Sequence, residues 1–215
     1  MQQNKVYFII QKMKTNYQKI LDEKIEQFKG TSTKPLLLLH CCCAPCSSYV
    51  LEYLAPHFDI TAFFYNPNIS PQEEYMFRLN ELRRLIVEMG LAQKVKLIEA
   101  EYEAEKFEVL AQGLETCKEG AERCFKCYNL RLSKTAEIAK TQNFDYFATT
   151  LTVSPYKNAD KLNEIGQQLS AAYKLNYLPS DFKKCDGYKR SIELSQQYGL
   201  YRQNYCGCRF SKRES

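Results

Sequence analysis

Leu36-Leu37-Leu38-Leu39-His40-Cys41-Cys42-Cys43-Ala44-Pro45-Cys46 is the stretch from which the fold is read. The apolar run is short enough for a strand and apolar enough for one covered on both faces, as in a parallel sheet. It empties into four cysteines within six positions. Ser47-Ser48, then Tyr49, Val50, Leu51 and Leu54, return to a helical period, so the cysteines fall in a strand-to-helix turn. In an open α/β sheet that turn lies at the carboxyl end of the strands, where ligands bind. A packed core has no need of such thiol density, so the sulfur itself has a task.

Outward from this turn, Ile60-Thr61-Ala62-Phe63-Phe64-Tyr65 reads as a second strand ending in the loop Asn66-Pro67-Asn68-Ile69. Ser70-Pro71-Gln72-Glu73 supplies an N-cap, a proline at the first helical position and a capping-box glutamate. Tyr75, Leu79, Leu82, Ile86 and Met89 then form one apolar stripe, closed by Gly90. Residues 95–98 form a third strand and 102–114 a helix. Residues 117–127 are polar and aperiodic, hence a loop, before a helical period over 128–140. Cys124 and Cys127 thus stand at a helix start, where the dipole favours thiolate. Residues 144–153 predict a further strand, and after Ser154-Pro155 a helix runs to about residue 174. Residues 184–198 are again helical. Strands alternating with helices imply right-handed crossovers and an α/β fold with a mostly parallel sheet and flanking helices, spanning 34–215. A helix and linker over 1–33 precede it: Ile10, Met13, Tyr17, Leu21, Ile25 and Phe28 share one helical face, and Gly30 ends it.

A chain of 215 residues buries a proper core without disulfides, so its ten cysteines are not needed as staples. No signal peptide and no apolar run of membrane-spanning length is visible. The expected location is the cytoplasm, where thiols stay reduced and clustered cysteines serve as metal ligands or redox groups. The net charge of +5 is uneven. Lys183, Lys184, Lys189, Arg190, Arg202, Arg209, Lys212 and Arg213 face only Asp186 and Glu193 in the C-terminal segment, which suits either a phosphate backbone or a solvated helical face.

Three cysteine groups, at 41–46, 124–127 and 206–208, are read as parts of one site. Four thiolates from two turns hold either zinc or an iron–sulfur cluster, and adjacent Cys42-Cys43 in place of a second Cys-x-x-Cys knuckle tilts the reading toward a cluster. Cys206-Gly207-Cys208 differs, because a single spacer permits only a small, strained disulfide ring, labile and suited to two-electron cycling. Cys46 faces the same turn as a ligand or substrate contact, whereas Cys41 reads as a packed thiol. His40 reads as a hydrogen-bonded strand-end histidine. Tyr65, Tyr75, Tyr156, Tyr201 and Tyr205 are candidates for stacking on a base.

Taken together, these residues resemble the cobalamin-independent epoxyqueuosine reductases of the QueH type. The likeness rests on Leu39-His40-Cys41-Cys42-Cys43-Ala44-Pro45-Cys46, on Tyr65-Asn66-Pro67-Asn68-Ile69 with Pro71, Glu74-Tyr75 and Arg78, and on Arg123-Cys124-Phe125-Lys126-Cys127-Tyr128 with Arg131. Thr149-Thr150-Leu151-Thr152-Val153-Ser154-Pro155-Tyr156-Lys157 and Tyr201-Arg202-Gln203-Asn204-Tyr205-Cys206-Gly207-Cys208 complete it. The resemblance implies two-electron deoxygenation of epoxyqueuosine to queuosine at the wobble position of tRNA. It implies a [4Fe-4S] cluster on Cys42, Cys43, Cys124 and Cys127, a redox-active disulfide between Cys206 and Cys208, and a mononuclear iron beside the cluster. It also implies a sheet like that of the adenine-nucleotide alpha-hydrolases. The cysteines replace the phosphate loop of ATP users after the first strand, so neither ATP nor cobalamin is expected, and the electrons come from a donor that the residues do not name. Two other readings compete: a zinc-stapled RNA-binding module, and a cluster-free thiol oxidoreductase working through Cys206 and Cys208.

Overall fold

The computed structural model describes residues 15–31 and 33–211. Its element order is α1 (Tyr17–Glu26), β1 (Leu36–His40), α2 (Ala44–Leu54), β2 (Asp59–Phe64), α3 (Gln72–Glu88), β3 (Val95–Glu99) and α4 (Ala104–Ala111). There follow α5 (Glu122–Thr141), β4 (Tyr146–Thr149), a 3-10 turn (Thr150–Val153), α6 (Ala159–Tyr173), β5 (Asn176–Tyr177), α7 (Gly187–Gln197) and a last 3-10 turn (Arg209–Ser211). Five strands form one all-parallel sheet in the order β3-β2-β1-β4-β5. The chain winds outward from β1 in one direction, then returns to pair β4 on its other side. The crevice between β1 and β4 is therefore the switch point at which open α/β sheets bind ligands.

Alternation along β1 divides the core. Leu37 and Leu39 join Ile60, Ala62, Phe64 and Ala148 on one face, under side chains of α1, α2, α3 and α7. Leu38 joins Phe63, Phe147 and Tyr177 on the other, under α5 and α6. Leu37, Leu38 and Leu39 are fully buried, each contributing about 2 kcal/mol of transfer free energy. α1 is part of this core: Leu21 and Ile25 are buried in it, and Phe28 meets Phe58 edge-on at 5.4 Å. The first half of the helix expected over 5–29, with Ile10 and Met13, lies outside the described residues. No helix among the described residues is long and apolar enough to cross a membrane.

Three local expectations change, and one strand, β5, is unforeseen. The loop expected over 117–127 is helical from Glu122, so Cys124 and Cys127 lie inside α5. The strand expected over 144–153 stops at Thr149, because the Thr149 side chain accepts from the Leu151 backbone N–H at 3.1 Å and turns the chain into a 3-10 turn. The α3 start carries no capping box: Pro71 occupies the cap position after a cis Ser70-Pro71 bond, and no side chain caps it. Instead the Ser70 N–H donates to the Gly207 carbonyl at 3.0 Å, tying α3 to the C-terminal cysteine loop. β5 has only two residues, too few for any periodicity. Its Tyr177 ring packs where a Cβ on Gly166 of α6 would sit, 2.3 Å away.

Gly187 opens α7 against α2. A Cβ there would stand 1.9 Å from the Phe182 carbonyl oxygen and 2.3 Å from the Tyr49 ring. Gly187→Ala is expected to cost about 3 kcal/mol through this overlap. Gly90→Ala, at φ +67 with nothing within 4 Å, is expected to cost only the left-handed penalty of about 1 kcal/mol. Urea unfolding of both variants against the parent measures the difference.

Candidate metal centre

The parallel register sets the ends of β1 and β4 side by side, His40 opposite Thr149, and the chain leaves β1 through Cys41-Cys42-Cys43. Thr150, just past β4, reaches across: the Cys42 N–H donates to its hydroxyl at 3.3 Å, and that hydroxyl lies 3.5 Å from the Cys42 sulfur. Cys43 is the N-cap of α2, with Pro45 in the first turn, and Cys46 follows in the same turn. This geometry collects the sulfurs of Cys42, Cys43 and Cys46 within 4.8 Å of one another. The Cys42 and Cys43 sulfurs are 3.7 Å apart, close to the roughly 3.8 Å edge of a tetrahedron built on 2.3 Å metal–sulfur bonds. Within the group, hydrogen bonds from Cys42 and Cys46 push the Cys43 thiol well down, and Cys42 and Cys43 push Cys46 well up. Three neighbouring thiols cannot all ionise without a cation, because the charge on one opposes the charge on the next.

Two adjoining cavities hold the rest. The larger, about 310 Å³, is lined by Cys42, Cys43, Cys46 and Cys206, with aromatic side chains of Tyr156, Tyr188 and Tyr205. The smaller, about 20 Å³, is lined by Cys124, Cys127, Cys206 and Cys208. Glu119, Arg131, Lys157 and Cys206 line both and form the wall between them. Seven of the ten cysteines therefore meet at two neighbouring spaces. Cys124 and Cys127 stand outside the close group of three sulfurs, one turn apart on α5. Cys42 and Cys124 pack against the same apolar cluster of Tyr128, Leu132, Leu151 and Leu162. At Cys127 burial overrides the helix start and pushes the thiol up to about 12, with Arg131 pulling the other way. Cys208 is likewise pushed up to about 11 by burial.

Cys206 and Cys208 carry free thiols. Gly207 between them has φ +99, and a Cβ there would meet Arg78 Nη1 and Ile69 Cγ1 at 2.9 Å, so only glycine fits. Arg78 Nη1 donates to the Cys206 carbonyl at 3.1 Å, and the Asn68 amide approaches the Cys206 sulfur at 3.9 Å. The loop is held against α3 from both ends.

Charge is the most informative feature of the site. Arg78 pairs with Glu74 and Lys157 with Glu119, at 2.7 and 2.9 Å. Arg123 and Arg131 are each only 2% exposed, and neither has a carboxylate partner among the described residues. Arg123 Nη1 donates to the carbonyls of Leu114 and Glu115 at 2.6 and 3.0 Å, and its guanidinium lies 4.7 Å over the Phe210 ring. Arg131 donates to Asn66 Oδ1 at 2.5 Å and lies 3.3 Å from His40 Nε2. Burial works against its charge, and the sulfurs of Cys127, Cys42 and Cys206 more than offset that. Two buried cations without carboxylates call for negative charge nearby, which cysteines ionised by a bound metal would supply. This donor set and charge balance fit an anionic thiolate–metal group.

His40 is engaged on both ring nitrogens, Nδ1 with the Thr149 hydroxyl at 2.9 Å and Nε2 with the Tyr65 carbonyl at 3.1 Å. Burial, then Arg131, lowers its pKa to about 3, so it is neutral. Cys41 is fully buried, its thiol directed at the Leu39 carbonyl at 3.4 Å. Of the five tyrosines considered for base stacking, Tyr65 and Tyr75 are buried in the core instead. Tyr65 stacks on Phe63 and donates to Glu103 at 2.8 Å, and Tyr75 donates to the Ala100 carbonyl at 3.0 Å. Tyr205 lies under the Arg78 guanidinium, Tyr201 meets Phe77 edge-on, and Tyr156 stands 64% exposed at the cavity. Half of the described C-terminal basic residues are ion-paired, Lys183 with Asp181, Arg190 with Glu52 and Glu193, and Arg209 with Glu108, while Arg202 donates to the Ser195 hydroxyl at 3.0 Å. Lys184 and Lys189 are exposed, and Lys212 and Arg213 lie outside the described residues. The roles of Arg123, Arg131, Glu119 and Lys157 were not read from composition or spacing. The available signal was an arginine at 131 inside the apolar stripe Tyr128, Leu132, Ala136 and Ala139 of a helix.

A parallel α/β sheet with clustered thiols at its switch point defines a class of protein, a cysteine-rich α/β metalloprotein or thiol redox protein. Comparison narrows the class. A family model described as epoxyqueuosine reductase QueH matches residues 37–214. Among curated proteins, epoxyqueuosine reductase QueH of Staphylococcus epidermidis is 42% identical over 212 residues, covering 97% of this chain and 89% of its own. Those of Staphylococcus aureus and Streptococcus pyogenes are 43% and 42% identical, covering 94% and 91% of this chain and 88% and 77% of their own. The chain belongs to the epoxyqueuosine reductase QueH family.

Two outcomes test this electrostatic reading. Arg131→Gln is expected to weaken metal binding by roughly 10- to 100-fold, read from the thiolate-to-metal absorption of metal-stripped protein titrated with Co(II). For His40, the unfolded chain takes up a proton near pH 6.5 and the folded chain only near 3. Its contribution to stability is therefore complete above pH 6.5 and is lost on acidification at about 1.4 kcal/mol per pH unit. Urea unfolding from pH 7 to 4 checks this slope, which His40→Gln should remove.

Proposed function

We propose that this chain reduces epoxyqueuosine in tRNA to queuosine, with Cys42, Cys43, Cys124 and Cys127 holding a [4Fe-4S] cluster and Cys206 and Cys208 forming the two-electron couple. The observation that carries the reading is the convergence of seven cysteines on two cavities that share a wall bearing two cations. Family membership names the substrate class. The unpartnered charges of Arg123 and Arg131 favour an anionic metal–thiolate group over neutral thiols. Cys46 completes a close trio with Cys42 and Cys43 and would hold a second, single iron beside the cluster.

The chemistry balances with these parts. An epoxide that loses its oxygen as water needs two electrons and two protons, and a dithiol that closes to a disulfide releases two of each. The bound metal centre supplies one-electron steps and a Lewis acid for the oxygen. The chain's own residues do the rest. A cavity of about 310 Å³ accommodates a modified base whose ring is flanked by Tyr188 and Tyr205. Exposed Tyr156 at its rim and exposed Lys184 and Lys189 offer stacking and phosphate contacts to a loop nucleotide. An external donor then restores the dithiol.

Anaerobic purification with metal and sulfide analysis is the decisive experiment. It should yield about four iron and four sulfide per chain, plus a further iron, and little zinc. A colourless protein with one zinc would favour the RNA-binding module. Nucleoside analysis of tRNA after incubation with reductant should show epoxyqueuosine converted to queuosine. Cys206→Ser and Cys208→Ser should keep the iron and lose conversion, the first turnover included. Activity that survives Cys42→Ala and disappears with Cys206→Ala would favour a cluster-free thiol oxidoreductase.

A further inference from the structure

Neither ligation nor thiol redox chemistry accounts for Lys157. It precedes α6 in a turn closed by its own N–H on the Ser154 carbonyl at 3.2 Å. Its side chain is 7% exposed and reaches into the wall between the two cavities. Nζ donates to Glu119 Oε1 at 2.9 Å, the one carboxylate with which it pairs among the described residues. Fixing and desolvating a lysine is costly, and an exposed ion pair would serve a loop equally well. Two further observations mark this wall as a place for a polar occupant. The Tyr128 hydroxyl, on a side chain 1% exposed, lines the small cavity and has no hydrogen-bond partner. Cys206 lines both cavities, as Lys157 does, so one end of the dithiol and the ammonium share the wall. An amine so placed keeps its charge, so it acts as a fixed cation and hydrogen-bond donor.

We propose that Lys157, steadied by Glu119, is a catalytic residue that faces the epoxide oxygen and stabilises the negative charge that gathers on it as the carbon–oxygen bonds break. The inference rests on the reductase reading above. In the overall step both carbon–oxygen bonds of the epoxide break and a carbon–carbon double bond forms. The Cys206/Cys208 dithiol supplies two electrons as its sulfur–sulfur bond closes, and the two thiol protons end on the oxygen, which leaves as water. Lys157 begins and ends as ammonium. A donor preorganised in a cavity shielded from solvent is worth far more to a developing oxyanion than one in water.

The test uses the full-length protein purified anaerobically with its metal and steady-state reduction of tRNA carrying epoxyqueuosine, with a chemical reductant in excess. Lys157→Met is expected to lower kcat by about 100-fold or more, the usual loss on removing one oxyanion donor, with KM for tRNA changed less than about threefold. Its iron and sulfide content and the midpoint potential of the Cys206/Cys208 couple should match the parent. Lys157→Arg should retain roughly a tenth of the rate, and Glu119→Gln should lose about tenfold. Lys157→Ala should regain rate with added ethylammonium, saturably, which a lysine that only braces the loop would not allow. Lys157→Met within about threefold of the parent would overturn the proposal, as would a rate loss that tracks lost iron or a shifted potential without amine rescue. Should Lys157→Met fail to fold, the arginine variant and the amine-treated alanine variant decide. Failure of the underlying reading looks different: the parent itself would not convert epoxyqueuosine, or Cys206→Ser would turn over like the parent.

Discussion

A guanidinium taken out of water must find a counter-charge, and the centre of this molecule is organised by that requirement. Arg131 sits fully inside, bonded to an asparagine and close to a neutral histidine, with sulfurs as the remaining source of negative charge. The other buried residues follow from it. His40 is held neutral by its burial and by Arg131 beside it, and Asn66 turns its oxygen to Arg131 while its amide donates to the Cys41 carbonyl at 2.9 Å. The strand ends of β1 and β2 are thereby fixed relative to α5. Without sulfur to balance it, such an arrangement would cost several kcal/mol.

The sheet decides where this happens. Parallel pairing of β1 with β4 aligns His40 with Thr149, so the two chain exits lie together and their hydroxyl and amide groups frame the first thiols. α5 carries its cysteines in the first two turns and Arg131 one turn later, which sets the second thiol pair and its cation on one face. The C-terminal loop arrives from the far end of the chain and is fastened by Ser70 and Arg78. Three segments distant in sequence are brought together by winding order, with the cysteine-bearing loop held by backbone hydrogen bonds.

Much of this was legible beforehand. The leucine run of β1, the strand at 59–64, the apolar stripe of α3 and the helical period after Cys127 were all clear, and a thiol-lined exit from the first strand followed, whereas the first turns of α5, with Cys124 and Cys127, read as loop. Elements decided by long-range partners were not legible. Thr149 ends β4 through a side-chain bond to Leu151, and two-residue β5 exists because β4 offers it an edge. Ser70 looked like a helix cap, yet its amide serves the Gly207 carbonyl 137 positions away. The thiols could be named from sequence, but it takes the fold to bring Cys46 onto Cys42 and Cys43 and to line one small cavity with Cys124, Cys127, Cys206 and Cys208. Buried lysine and arginine are invisible to composition, since the same letters usually denote a solvated surface.

Cys206 borders both chambers, and that position gives the molecule a single point of vulnerability. A small electrophile that enters the open chamber and alkylates this sulfur would place its adduct against the inner one as well. One covalent bond at Cys206 would thus reach two compartments, while the buried thiol of Cys41 stays shielded in the core.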